Sequence, residues 1–170
     1  MPPANNPTSK RIVDDIESTL DDILSGSNYF YTPNKVIQTD PPYLSLIKDQ
    51  TDTLIYLLCV GDETEKHFST GGFQQCELEI FIFGSQIWEP TNYNEEDREE
   101  ADEESKASMR EKMKHDVRRA VNVDWNRGGL AQNTNITDLR SVYMDSSTLP
   151  QKACFEMRIV VEYKYQKLTP

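Results

Sequence analysis

The sequence predicts an α+β fold: a mainly antiparallel sheet of about four to five strands with two main helices packed on one face. Three observations predict it. Apolar residues recur at helical spacing in two separate segments, near 9–24 and 102–122. Several other segments are strand-like and are bounded by Gly- or Pro-containing turns. The last of them, 154–165, is apolar on one face and mostly polar on the other, as in an antiparallel sheet covered by helices from one side.

Residues 1–8 carry three prolines and two asparagines before any periodicity begins, and are expected to form a flexible tail ahead of a single domain over 9–168. In the first helix Ile12, Val13, Ile16, Leu20, Ile23 and Leu24 take one face, Asp14, Asp15, Glu17, Asp21 and Asp22 take the other, and Gly26 stands where helices commonly stop. Residues 29–38 are rich in Tyr, Phe, Val and Ile but broken by Pro33. Together with Pro41, Pro42 and 43–47 they read as an edge or irregular strand region. Residues 53–60 form a near-continuous apolar run ended by Gly61 and Asp62, which reads as a strand covered on both faces.

A loop at Ser69, Thr70, Gly71 and Gly72 leads to a run over 73–88, in which Cys76, Leu78, Ile80 and Ile82 alternate with Gln75, Glu77, Glu79 and Phe81; the pair suggests a hairpin. An acidic insert at about 90–104 holds eight acids within 95–104 and runs into a helix over 102–122, with Met113, Val117, Ala120 and Val121 on one face. Acids at its start and Arg110, Lys112, Lys114, Arg118 and Arg119 further along suit the helix dipole. A glycine-centred loop over 124–131 precedes a strand over 134–144. In the final strand Phe155, Met157, Ile159, Val161, Tyr163 and Tyr165 share one face.

Composition narrows the function. No run of roughly 18 apolar residues occurs and the N-terminus has no basic or apolar leader pattern, so no membrane contact is expected. Cys59, Cys76 and Cys154 lack CxxC spacing and read as buried small hydrophobes in a reducing compartment. A net charge of −11 argues against clamping nucleic-acid phosphates, which requires Lys and Arg. His67 and His115 have no ligand partners at recognisable spacing, and neither GxSxG nor HExxH occurs. The Gly71-Gly72 and Gly128-Gly129 pairs lack the context of a phosphate loop and read as turns, and the acidic run has no DxDxDG calcium pattern. No cofactor, metal site or catalytic residue is expected. The acids Glu95, Glu96, Asp97, Glu99, Glu100, Asp102, Glu103 and Glu104 form either a solvated helix start or a surface past which DNA slides without sticking.

Certain residues, taken in order, resemble a known family. They are Ile23 to Gly26 ending the first helix, Pro41 and Pro42 before a strand, the turn Val60-Gly61-Asp62-Glu63, the Glu/Leu/Ile strand over 77–83, the helix reaching Asn122, Gly128 to Ala131, and the closing strand over 160–165. This order is similar to that of the tail terminator (tail completion, or neck) proteins of long-tailed bacteriophages, over nearly the whole chain. The acidic insert is longer than the family pattern. The resemblance implies a virion structural protein and no enzyme: a hexameric ring that docks on the last ring of the tail tube, stops its polymerisation and forms the tail side of the head–tail joint. Implied partners are further copies of the chain, the tail tube protein, the head–tail connector, and the sheath in a contractile tail, with DNA passing through without specific binding. Assembly would take place in the host cytoplasm. The open alternatives are a head-closure, connector or other minor tail protein, or a non-viral acidic α+β adaptor. Loops presented by a rigid sheet commonly carry contacts, so Gly61, Asp62, Gly71 and Gly72, with Arg127, Gly128, Gly129, Leu130 and Ala131, are the candidate ring or tube interface.

Overall fold

A computed structural model describes residues 7–26, 28–40, 47–69, 72–89, 98–143 and 150–166. In chain order these form α1 (Pro7–Asp21), β1 (Lys35–Gln38), β2 (Leu54–Ser69), β3 (Phe73–Ile87), α2 (Arg98–Val123), a 3-10 turn (Arg127–Gly129), β4 (Asn133–Val142) and β5 (Lys152–Gln166). The fold is α+β, as expected. Its five strands lie in the order β1-β2-β3-β5-β4; β1 pairs with β2 in parallel, and every other pair is antiparallel.

Strand alternation decides which face the helices cover. Leu54, Tyr56 and Leu58 of β2, Cys76, Leu78, Ile80 and Ile82 of β3, and Phe155, Met157, Ile159, Val161 and Tyr163 of β5 share one buried layer. Against it lie Ile12, Val13, Ile16 and Leu20 of α1 and Met113, Val117, Ala120 and Val121 of α2. Each of the buried Ile, Leu, Val and Met side chains contributes roughly 1.5–3 kcal/mol relative to exposure. The opposite face has a smaller core of Ile47, Ile55, Leu57, Phe83 and Cys154. Gln50 pins that side, accepting a 2.6 Å hydrogen bond from Ser85 Oγ and donating to the Asp52 carbonyl at 2.7 Å. From Leu54 to Cys59 β2 is therefore dry on both faces, as its continuous apolarity predicts, whereas Val60 at the end of the run is 46% exposed.

Several boundaries differ from the sequence reading. The first helix opens at Pro7, so Pro7 and Thr8 are not part of a tail; proline suits a first helical position, where its missing N–H would go unbonded anyway. Gly61 and Asp62 do not end β2. The ladder to β3 continues to Ser69 with a register shift between Val60 and Glu63, making this a bulge and not a turn. Gly61 suits that bulge, because a Cβ would stand 2.9 Å from the Glu79 and Phe81 side chains and would require them to shift. Ile47 and Lys48 are helical and not strand-like, whereas Pro41, Pro42 and 43–46 lie outside the described residues. The second helix begins at Arg98, and the edge strand β4 carries a bulge between Ile136 and Asp138.

Candidate assembly surface

Strand register places the predicted loops at one end of the sheet. Thr64, Glu77, Glu162 and Asn133 form a row across β2, β3, β5 and β4. Beyond that row only β2, β3 and β5 continue, as a three-stranded arm ending at Ser69, Phe73 and Gln166. On the helix side of the arm the Tyr165 hydroxyl donates to Glu65 Oε1 at 3.0 Å, reaching across β3. Burial, with the carboxylate as the next cause, pushes the Tyr165 phenol up to about 12. Gly72 helps to turn the arm at φ +79°, whereas Gly71 lies outside the described residues. The glycine-centred loop reaches the same end of the sheet, because the Gln132 N–H donates to the Glu162 carbonyl at 2.7 Å.

Within that loop Arg127 is not a surface residue. Its side chain is 0% exposed, tucked beneath α1 and α2. It donates to the Val121 carbonyl, and Nη1 lies 3.4 Å from both Asp15 Oδ2 and Thr19 Oγ1. Burial pushes its pKa down, and the nearby Asp15 and Asp124 charges oppose that shift. Arg127 itself has φ +50°, followed by Gly128 at +61° and Gly129 at +87°, so the chain reverses through three left-handed residues. Its part in any contact is to hold the loop. Gly128, Gly129 and Leu130 are the accessible members, and Ala131 is buried.

The acidic residues of the insert that the structure describes occupy the other end. Asp102, Glu103 and Glu104 lie in the early turns of α2, beside Trp88, whose Nε1 donates to Ser105 Oγ at 3.2 Å. Trp88 follows the last residues of β3, opposite the sheet end that bears the arm. Glu99 and Glu100 belong to the first turn of α2, and Glu95, Glu96 and Asp97 lie outside the described residues. Over its 26 residues α2 spans about 39 Å, with acids at one end and the glycine loop at the other.

Sequence reasoning assigned the cations of α2 to the helix dipole and missed what they build. Lys112, His115, Arg118, Arg119 and Asn122 are exposed on one face, opposite the buried Met113, Val117, Ala120 and Val121. The loop between α1 and β1 packs alongside. Phe30 meets His115 edge-on at 5.2 Å, Lys112 Nζ stands 5.7 Å from the Phe30 ring, and Arg119 donates to Asn28 Oδ1 at 3.1 Å. Asp116, fully buried, anchors that loop by accepting the Phe30 and Tyr31 backbone N–H groups at 2.9 Å. The spacing 112, 115, 118–119, 122 was the available signal.

Among the described residues no three His, Cys, Asp or Glu side chains converge as a metal site, and no helix is long and apolar enough to cross a membrane. Cys59, Cys76 and Cys154 are free and buried; burial raises all three pKa values, that of Cys76 to about 11. Because the thiolate is the reactive form, a thiol-specific disulfide reagent should label the native chain far more slowly than the denatured chain. Rapid stoichiometric labelling of the native protein would contradict the packing described. Comparison of the chain with protein-family models and with curated proteins finds no match.

Proposed function

We propose that this chain is a phage tail-terminator protein, acting by assembly and not by catalysis. In this reading about six copies close into a ring, cap the tail tube, stop its elongation and form the tail side of the head–tail joint within the virion. The observation that carries the reading is the order of elements, helix, strand, hairpin, long helix, glycine loop and terminal strand pair, which is the order of the family that the sequence resembles. The arm supports it physically. Three strands extended past the sheet body give a subunit a stiff projection toward a neighbour or the tube, and Phe73 at its tip is exposed. A charge of −11 per chain also suits a channel through which DNA passes unbound, since like charge removes the attraction that would hold it. The tube protein, the head–tail connector and, in a contractile tail, the sheath are the partners of this reading.

Light scattering over a concentration series, with negative-stain imaging in the presence and absence of tubes polymerised from the same virus's tube protein, tests it. The expected result is rings of about six subunits, free or seated on tube ends whose growth then stops. A chain that neither forms rings nor alters tube length overturns it.

A further inference from the structure

The outer face of α2 carries opposite charges at its two ends. The chain has 29 acids against 18 Lys and Arg, and eight of the described Lys and Arg residues sit in ion pairs with carboxylates. Yet among the described residues Lys112, Arg118 and Arg119 form no ion pair with one. They cluster around a shallow groove of about 330 Å³ lined by His115, Arg118, Arg119, Asn122 and Val123. At its margin Val123 is 72% exposed, and Trp125, just beyond the helix, is 54% exposed. Unpaired cations next to exposed apolar groups have the chemistry of a docking site for an acidic polypeptide segment.

We propose that this face docks a second copy of the chain, with the basic, apolar C-terminal half of one α2 receiving the acidic N-terminal turns of another, chiefly Glu103 and Glu104. Charge complementarity selects that occupant. A phosphate polymer would have to approach a chain of net charge −11, whereas five of the chain's own acids, Glu99, Glu100, Asp102, Glu103 and Glu104, belong to the first turns of this very helix. Both acids are exposed; Glu103 already pairs with Lys106 at 3.1 Å and adds negative charge at the rim, whereas Glu104 forms no ion pair among the described residues. At 100° per residue Glu104 projects from the same side as His115 and Arg118. Fourteen residues separate Glu104 from Arg118, about 21 Å along a rigid helix, so the two cannot meet within one chain. Only another copy can join them. The inference rests on the ring reading solely for its geometry: a ring requires head-to-tail contacts, whereas an antiparallel α2 pair would satisfy the same charges in a twofold dimer.

Sedimentation velocity at low and high salt tests the surface with two charge-reversed chains, R118E/R119E and E103K/E104K. All four residues are exposed, so each variant should keep its fold, checked by circular dichroism and thermal melting. The expected result is a wild-type assembly weakened by salt and about tenfold or more weaker in either variant. Mixing the two variants, or combining all four changes in one chain, should restore it, because each reversed face then meets its complement. An assembly of about six that ignores both reversals overturns this inference and leaves the ring reading standing. A dimer that obeys the charge swap upholds the inference, and tube capping then decides the ring reading separately. A wild-type chain that remains monomeric at every concentration overturns the inference, and tube capping then decides the ring reading separately.

Discussion

Replacing Gly84 by alanine is expected to destabilise the protein by about 3 kcal/mol, at the upper end of the usual cost of overpacking a filled core. Gly84 lies within β3, three residues from its end, directly opposite Tyr56 on β2 and Phe155 on β5. The Phe155 ring lies over it: a Cβ at Gly84 would stand 2.1 Å from one ring carbon and 2.7 and 2.8 Å from two others. The ring has little room to yield, because Phe155 is fully buried and packs edge-on against Tyr56 at 6.3 Å. A glycine would weaken a strand interior if nothing covered it. Here the neighbouring aromatic fills the space that the missing side chain leaves.

The pairing also makes the expectation separable from a generic core effect. F155A alone should cost about 3–5 kcal/mol, through lost burial and a cavity. If the two residues interlock, the double variant G84A/F155A should be more stable than the sum of the single costs implies, by about 1–3 kcal/mol, because the new methyl group then points into the space the ring vacated. Urea unfolding of the four chains supplies the cycle. A G84A chain within about 1 kcal/mol of wild type, or strict additivity, would contradict this packing.

What was legible in the sequence was whatever repeats. Both helices and the long strands announced themselves because a buried face must recur every 3.6 or every 2 residues. That logic also found the dry far face of β2. It failed where a single residue has a local and a tertiary reading. Gly61-Asp62 has the chemistry of a turn, but the β3 ladder continues past it and converts the same glycine into a bulge. Arg127 beside two glycines looks like a loop tip, yet its guanidinium is drawn under α1 by Asp15, Thr19 and the Val121 carbonyl, partners 112, 108 and 6 residues away. No local pattern encodes that. The cationic face of α2 was different: its spacing was visible, but the helix dipole offered a sufficient account of the charges, and only the packed structure shows which of them lack carboxylates.

Asp116 is the second position at which one substitution should have a large effect. It is 0% exposed, on the rim of the α2 core face, and its carboxylate receives the Phe30 N–H at 2.9 and 3.0 Å and the Tyr31 N–H at 2.9 Å. His115 Nδ1 lies 3.4 Å away. The anchored segment carries Tyr29 and Tyr31 against the main core and delivers the chain into β1. Its charge is felt more deeply: the buried Tyr56 and the half-buried Tyr31 phenols are both pushed up, first by desolvation and then by Asp116. Alanine at 116 would leave two backbone donors without their acceptor and is expected to cost about 3 kcal/mol, since hydrogen bonds to a charged group are worth more than neutral ones. D116N should cost less, about 2 kcal/mol, because an amide offers one oxygen where the carboxylate offers two. Hydrogen exchange supplies a readout that general destabilisation would not reproduce. The Phe30 and Tyr31 amides should lose protection in D116A while amides in the centre of β3 and β5 keep theirs up to the global limit. Unchanged exchange at both positions, or a cost below about 1 kcal/mol, would show that the loop is held by its aromatic contacts and not by this carboxylate. If the expected loss occurs, Phe30 is released from its place beside His115 and Lys112. Self-association through the α2 face should then weaken although no charge on that face has been altered, which would identify Asp116 as a positioning residue for the surface as well as an anchor of the fold.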